Sequence, residues 1–378
     1  MLTSACLVTC LVAALNCGPP ATNRLADGPP PDQGEAALPL KEAIAMARSR
    51  SPQVAAAEAQ VQGASLAERF SATWPNPSVE VRAENWTGSH WGWAVPVGPE
   101  VGPTVDFFAL LTQPLEIGGK RSARRALASA DRGLASAVSL GVSRSVELET
   151  TRLYLDALRA RAVVSALRAH RDELSSLLHT MKRRVEEGYA AEADLLKFQT
   201  EAARVDVEIA RTSLEGDRAM AALGALIGLD APLGPERLVE PPRLEVPPGD
   251  ARSLAGAALE AHPDVVAARA RLARAEQALA LQRAMRTPDP ELTGGYKRSS
   301  GSHTAVFGVV VPLPLFDRNG RDIALASGEE RAARFTLEAT SAGALAATTS
   351  AVERAQRLQE RAARVDDELL RPAAEVRE

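Results

Sequence analysis

Residues 120–187 read KRSARRALASADRGLASAVSLGVSRSVELETTRLYLDALRARAVVSALRAHRDELSSLLHTMKRRVEE. The stretch holds no proline, and its only glycines are Gly133 and Gly141. Ala, Leu, Arg and Glu dominate it, all strong helix formers. Leu127, Leu134, Leu148 and Leu155 share one seven-residue register, with Gly141 in the empty place. Leu153, Leu167, Leu174 and Met181 share a second, with Ala160 in its gap. Apolar heptads sustained this long predict a coiled-coil seam rather than the stripe of a small-domain helix. At 1.5 Å per residue the helix is roughly 100 Å long, more than a globular core can use.

The rest of the composition agrees with long helices. Aromatic residues make up only 4% of the 378 residues, and the formal net charge of −4 gives no bulk electrostatic case for nucleic acid. No run of about 18 apolar residues exists beyond the N-terminal segment, so a spanning helix is not expected in the body. All three cysteines lie at the start, Cys6, Cys10 and Cys17, so the body has neither disulfides nor a cysteine metal site.

Residues 1–17 read as a signal peptide, with an apolar run from Leu2 to Leu15. Ala14-Leu15-Asn16-Cys17-Gly18 is a poor lipoprotein cleavage site that would make Cys17 the acylated residue. An ordinary signal peptide or a misassigned start is the alternative. Residues 18–37 are a proline-rich tether.

The first unit spans residues 38–228. A helix from Leu38 to Thr73, broken near Arg50–Pro52, is stopped by Pro75-Asn76-Pro77. The period then changes to two. Val79, Val81 and Ala83 alternate with Glu80, Arg82 and Glu84, predicting a strand over about 78–86. A Gly/Pro-rich loop leads to a second strand over about 104–113, with Val105, Phe107, Ala109 and Leu111 on one face and Phe108 and Leu110 blurring the other. Strands of this length suit a tilted crossing of a bilayer. All four tryptophans, Trp74, Trp86, Trp91 and Trp93, fall at the hairpin's ends or in its loop, as interfacial aromatics do. A soluble hairpin with its tryptophans in a protein interface is the other reading. The long helix turns near Gly188-Tyr189, and a return helix to Ile227 carries Leu195, Ala202, Ile209 and Leu223 in a heptad-like seam. The helical hairpin thus covers about 119–228.

After a link over 229–250, the chain repeats itself. His262-Pro263-Asp264-Val265 echoes Ser51-Pro52-Gln53-Val54, and Pro288-Asp289-Pro290 echoes Pro75-Asn76-Pro77. Strands are expected over about 291–298 and 304–311, with a shorter loop. Both hairpins leave through similar punctuation: Gln113-Pro114-Leu115-Glu116-Ile117-Gly118-Gly119-Lys120-Arg121, then Val311-Pro312-Leu313-Pro314-Leu315-Phe316-Asp317-Arg318-Asn319-Gly320-Arg321. Gly118-Gly119 and Asn319-Gly320 are expected to supply left-handed backbone there. The second unit, 251–378, stops at Glu378 without a return helix and reads as C-terminally truncated, a fragment or a defective product.

The duplicated plan and the Pro114–Arg121 junction resemble the TolC-like family of outer-membrane efflux proteins, most closely the branch of cobalt–zinc–cadmium resistance. The fold class expected is mainly α with a small β part: a duplicated helix, β-hairpin and long-helix unit. The resemblance implies a homotrimer whose four strands per chain join one twelve-stranded barrel, with the helices as a periplasmic extension. It also implies a periplasmic adaptor protein and an inner-membrane pump of the resistance-nodulation-division type as partners. Physics supports pooling independently, because an unpaired backbone group in lipid costs several kcal/mol and four strands cannot close a barrel. Two copies would give eight strands and three would give twelve; the family chooses three.

Nothing in the chain calls for catalysis or a cofactor. The acidic run Asp366-Asp367-Glu368 reads as a solvated face rather than a cation site, and a metal site at His90 or His303 near the outer loops is the minor alternative to none. The expected activity is passive conduction of metal cations or drugs. Glu80, Arg82, Glu84 and Asp106 would face water in the lumen, and Val79, Val81, Val105 and Phe107 would face lipid. Arg183, Glu187, Gly188, Tyr189 and Asp194 form the candidate periplasmic tip and adaptor contact. Gly118-Gly119-Lys120 fails as a phosphate-binding loop, since Pro114 and Arg121 occupy the places of the required Gly and Ser/Thr. A periplasmic adaptor, or a coiled-coil scaffold outside the membrane, are the rival readings. The repeated strand hairpins argue against both.

Overall fold

A computed structural model describes residues 37–84, 105–229, 233–241, 248–299, 302–365 and 368. Cys17 and the rest of residues 1–36, the hairpin loop with His90, Trp86, Trp91 and Trp93, and Asp366 and Asp367 lie outside them.

Two helices open the described chain, α1 (Leu40–Arg50) and α2 (Pro52–Phe70). Pro52 sits at the first helical position of α2, where its missing N–H costs nothing. The hairpin β1 (Ser78–Glu84) and β2 (Asp106–Pro114) follows, then α3 (Lys120–Glu186) and α4 (Glu192–Leu226). The second unit begins with α5 (Ala251–Leu259), capped by the Asp250 carboxylate, which accepts from the Ser253 N–H at 2.9 Å. Then come α6 (Pro263–Met285), β3 (Glu291–Ser299), β4 (Ser302–Val310) and α7 (Gly320–Val365). Helix, strand hairpin and long helix therefore occur twice, as α2–β1–β2–α3 and α6–β3–β4–α7. The four strands form one antiparallel sheet in the order β1-β2-β3-β4.

Of the two leucine registers in α3, the second is the more deeply buried within the chain. Leu153, Ala160 and Leu174 are buried, and α4 is the element that α3 meets most. In the first, Leu148 is 71% exposed and Leu155 41%. A heptad states that a face wants a partner, not which chain supplies it. The empty places of the α3 and α4 seams meet: a Cβ on Gly216 would lie 3.0 Å from the Ala160 Cβ, so the helices approach closely where both side chains are small.

The main core gathers around Tyr154, with Ala43, Ala47, Val146, Met220, Leu223 and Ile227 among its members. Tyr154 is 0% exposed. Its hydroxyl accepts from the Val239 N–H at 2.8 Å and lies 2.7 Å from the carbonyl oxygens of both Leu38 and Val239, to which its one proton is donated. Leu38 also pairs with the segment around Leu238, its N–H donating to the Arg237 carbonyl at 2.7 Å. Burial raises the hydroxyl above its ordinary pKa, with the Val239 backbone and the Arg161 charge pulling the other way. One phenol thus fastens two distant straps to α3. Tyr154→Phe leaves those backbone groups without their partner and is expected to cost about 1–3 kcal/mol, read as a lower urea midpoint at unchanged slope.

Candidate functional site

The sheet has two unlike faces. Glu80 is paired with Leu110, Arg82 with Phe108 and Glu84 with Asp106, so these residues share one face. Across β3 and β4 the same face continues through Thr293, Gly295, Lys297, Thr304 and Val306. The other face carries Val79, Val81, Ala83, Phe107, Ala109, Leu111, Leu292, Tyr296, Ala305, Phe307 and Val309. Across β1 and β2 the register separates Glu80, Arg82 and Glu84 from Val79, Val81 and Phe107; at the far end of β3, Arg298 lies on the apolar face opposite Phe107 and His303. Phe108 sits on the charged face because two cations cover it. The Arg82 guanidinium lies 5.0 Å from its ring centre and the Lys297 ammonium 4.9 Å. Arg82 also pairs with Glu84 at 2.9 Å and Glu80 at 3.6 Å. Asp106, opposite Glu84 at the end of that face, is 8% exposed. On the apolar face the Tyr296 hydroxyl hydrogen-bonds His303 Nδ1.

The strand-to-helix junction is a clamp between the two units. Gly118 (φ +70°) and Gly119 (φ +77°) turn the chain from β2 into α3. A Cβ on Gly118 would lie 2.7 Å from the Thr287 Cβ, so the position needs glycine for space as well as for backbone. The Leu115 N–H donates to the Pro290 carbonyl at 2.8 Å, and the Ile117 N–H to Asp289 Oδ1 at 3.1 Å. Lys120 Nζ closes on Asp289 Oδ2 at 2.7 Å. Toward α2, Arg124 makes a forked pair with Glu116 and also donates to the carbonyls of Ser71 and Thr73, at 3.1 Å each. The Glu116 hydrogen bond raises the Arg124 pKa above its ordinary value, against the opposing pull of burial. Arg121 lies 5.1 Å over the Trp74 ring. Pro114 ends β2, with its carbonyl accepting from Gln113 Nε2 at 2.9 Å.

Lys120→Met is expected to cost about 1.5–3 kcal/mol, because it leaves the Asp289 carboxylate with one hydrogen bond fewer. Lys120→Met with Asp289→Asn is expected to cost less than the two single changes summed. A double-mutant cycle on the unfolding free energy reads the coupling.

In the second junction the left-handed residue is Asn319 (φ +60°), and Gly320 is the first residue of α7 with no left-handed backbone. This corrects the assignment of Gly320. Asn tolerates that region because its short side chain bonds locally. Here Asn319 Nδ2 donates to the carbonyl of Gln282 at 2.8 Å and to its Oε1 at 2.9 Å. Pro312 lies in the irregular segment between β4 and α7.

At the far end of α3, Gly188 (φ +79°) makes the turn. The Tyr189 N–H donates to the Arg184 carbonyl at 2.7 Å, the Gly188 N–H to Val185 at 3.0 Å and the Glu187 N–H to Arg183 at 2.9 Å, the bonding of a glycine-terminated helix end. Tyr189 is exposed, and Asp194 is held by Lys197 at 2.9 Å. The tip residues are therefore together.

Comparison with known proteins decides the family. The family model described as outer membrane efflux protein matches residues 43–229 and 254–374, most of the chain. The chain belongs to the outer membrane efflux protein family. Members of this family are channels rather than enzymes, placed in the outer membrane with a periplasmic helical extension. Among curated relatives, the cobalt-zinc-cadmium resistance protein CzcC of Cupriavidus metallidurans is 28% identical over 291 residues, covering 76% of this chain. That match spans 66% of the relative, just under two thirds of its length. Among solved structures, the outer membrane protein VceC of Vibrio cholerae gives a TM-score of 0.68 at 21% identity, covering 87% of this chain and 81% of its own. The CmeC outer membrane channel of Campylobacter jejuni gives 0.69 at 15% identity, with 89% and 75% covered. These two show the shared fold.

Sequence reasoning missed the Tyr154 fastening and the Asp289–Lys120 pair. The only signal for the second was the charge difference between Pro288-Asp289-Pro290 and Pro75-Asn76-Pro77.

Proposed function

We propose that three copies of this chain pool their hairpins into one twelve-stranded barrel and passively conduct the cargo of an inner-membrane pump across the outer membrane. The carrying observation is the two-faced sheet whose outer edges on β1 and β4 have no partner among the described residues. Lipid tolerates no such edge, so copies must close it. The face with Glu80, Arg82, Glu84 and Asp106 then lines the lumen, and the face with Val79, Val81 and Phe107 meets lipid. The exposed Leu148 and Leu155 register supplies the contact between helices of neighbouring copies. The tip formed by Arg183, Glu187, Gly188, Tyr189 and Asp194 docks a periplasmic adaptor.

Heavy-metal cations are the proposed cargo, supported by the relative named for cobalt-zinc-cadmium resistance. Deleting the gene tests this. Tolerance to cobalt, zinc and cadmium is expected to fall while drug tolerance holds. Loss of drug tolerance alone would overturn the metal reading.

A further inference from the structure

We propose that the seam between subunits copies the chain's own β2–β3 seam in a defined register, with an apolar contact where the internal seam carries its ion pair. This rests on the pooling of subunits proposed above.

The two repeats can be laid on each other strand by strand, the second differing by a shorter hairpin loop and by two more residues between Leu315 and the start of α7. Placing Pro75-Asn76-Pro77 on Pro288-Asp289-Pro290 sets β1 on β3, and placing Pro114-Leu115 on Pro312-Leu313 sets β2 on β4. The hairpins check this independently. Ser78 faces Thr112 in the first, and their equivalents Glu291 and Val310 face each other in the second. Within the chain, Thr112 faces Thr293, their hydroxyls 3.1 Å apart, and Leu111 faces Gly294. Carried over, Val310 stands opposite Glu80 of the next copy, and Val309 opposite its Val81.

Two consequences agree with a closed membrane sheet. First, the faces match. Phe307 and Val309 fall beside Ala83 and Val81 of the next copy, while Val306 and Gly308 fall beside Glu84 and Arg82. A slip of one residue would put Arg82 on the apolar face. Second, the strands tilt correctly. The row through Arg82 runs by Phe108 to Lys297, two positions past Gly295, the repeat equivalent of Arg82. Two positions per hairpin, at about 3.3 Å rise and about 4.8 Å strand spacing, give a tilt of about 35°, within the range of membrane barrels.

The junction differs in its chemistry on both sides at once. Counted from the helix starts, Gly320 stands where Lys120 stands, and Asn76 stands where Asp289 stands; Arg318, in the two extra residues before α7, turns back on the Pro314 carbonyl at 3.2 Å. Asp289 accepts from the Ile117 N–H, but the equivalent Leu315 N–H already closes on the Leu313 carbonyl at 2.8 Å and needs no carboxylate. The equivalent of Thr287 is Trp74, 54% exposed, and the segment that would meet it bares Leu313, Leu315 and Phe316, the last 100% exposed. A tryptophan against three apolar side chains replaces an ion pair, and the Leu313 N–H takes the Pro77 carbonyl of the next copy as Leu115 takes Pro290.

Cysteine pairs test the register in the full-length protein in outer membranes, since no native cysteine follows Cys17. Glu80→Cys with Val310→Cys is expected to give covalent trimers on oxidation, while Glu80→Cys with Gly308→Cys gives few. Thr112→Cys with Thr293→Cys, the internal equivalent, closes within one chain and reports folding and oxidation. A second pair, Asn76→Cys with Leu315→Cys, probes the junction. Uncrosslinked trimers from the 80/310 pair, or equal crosslinking of the 80/308 pair, overturn the seam while leaving the trimer. A single-chain particle before oxidation removes the subunit pooling and the seam with it.

Discussion

Gly118→Val is expected to reduce assembled channel in the outer membrane at least tenfold. The left-handed backbone at φ +70° costs a non-glycine residue about 1–2 kcal/mol, and a β-branched one suffers most. A Cβ there also falls 2.7 Å from the Thr287 Cβ. Something must shift, and overpacking of this kind adds about 1–3 kcal/mol. The shift would strain the Leu115–Pro290 and Lys120–Asp289 contacts that tie the two units together. Gly119 gives the contrast. Its φ is also positive, but the nearest atom to an added Cβ is Ser122 Oγ at 3.5 Å. Gly119→Asn, which copies the residue used at 319, is expected to assemble within about twofold of the parent. Quantifying folded protein in purified outer membranes separates the two. Parent-like assembly of Gly118→Val would show that the junction is not close-packed.

The second large effect is a change of face. Val81→Arg puts a cation into the row with Ala109, Tyr296 and Ala305. Facing lipid near the midplane it costs roughly 2–4 kcal/mol per chain, hence roughly 6–12 kcal/mol in a trimer. The barrel is expected to be lost from the membrane. Arg82→Val, one residue along, removes the ion pairs to Glu80 and Glu84 and half the cation sandwich on Phe108. It leaves the ladder and the apolar face intact, so assembly is expected to persist with altered ion conductance. Retention of Val81→Arg together with loss of Arg82→Val would invert the assignment of faces.

The plan of the chain was legible because its signals are local. Period-two alternation, Pro-Asx-Pro stops and proline-free heptads act over a few residues each, and their recurrence exposed the duplication. The expected strands ran within about two residues of those found wherever both ends are described. Partner choice was less legible. The Leu127–Leu155 and Leu153–Met181 registers look equally apolar as strings, yet the first leaves Leu148 and Leu155 exposed while the second buries Leu153, Ala160 and Leu174. Phe108 looked misplaced until cross-strand register brought Arg82 and Lys297 over its ring. Tyr154 gave no warning at all, since its partners at Leu38 and Val239 lie 116 and 85 residues away. At the second junction, Asn-Gly named the turn but not which of its residues would be left-handed.

The most direct test of the central claim is the protein mass of the particle that detergent extracts from outer membranes, measured by light scattering with the detergent subtracted. Three chains per particle, released only by detergent, is the predicted result. A single chain recovered in buffer without detergent would contradict it.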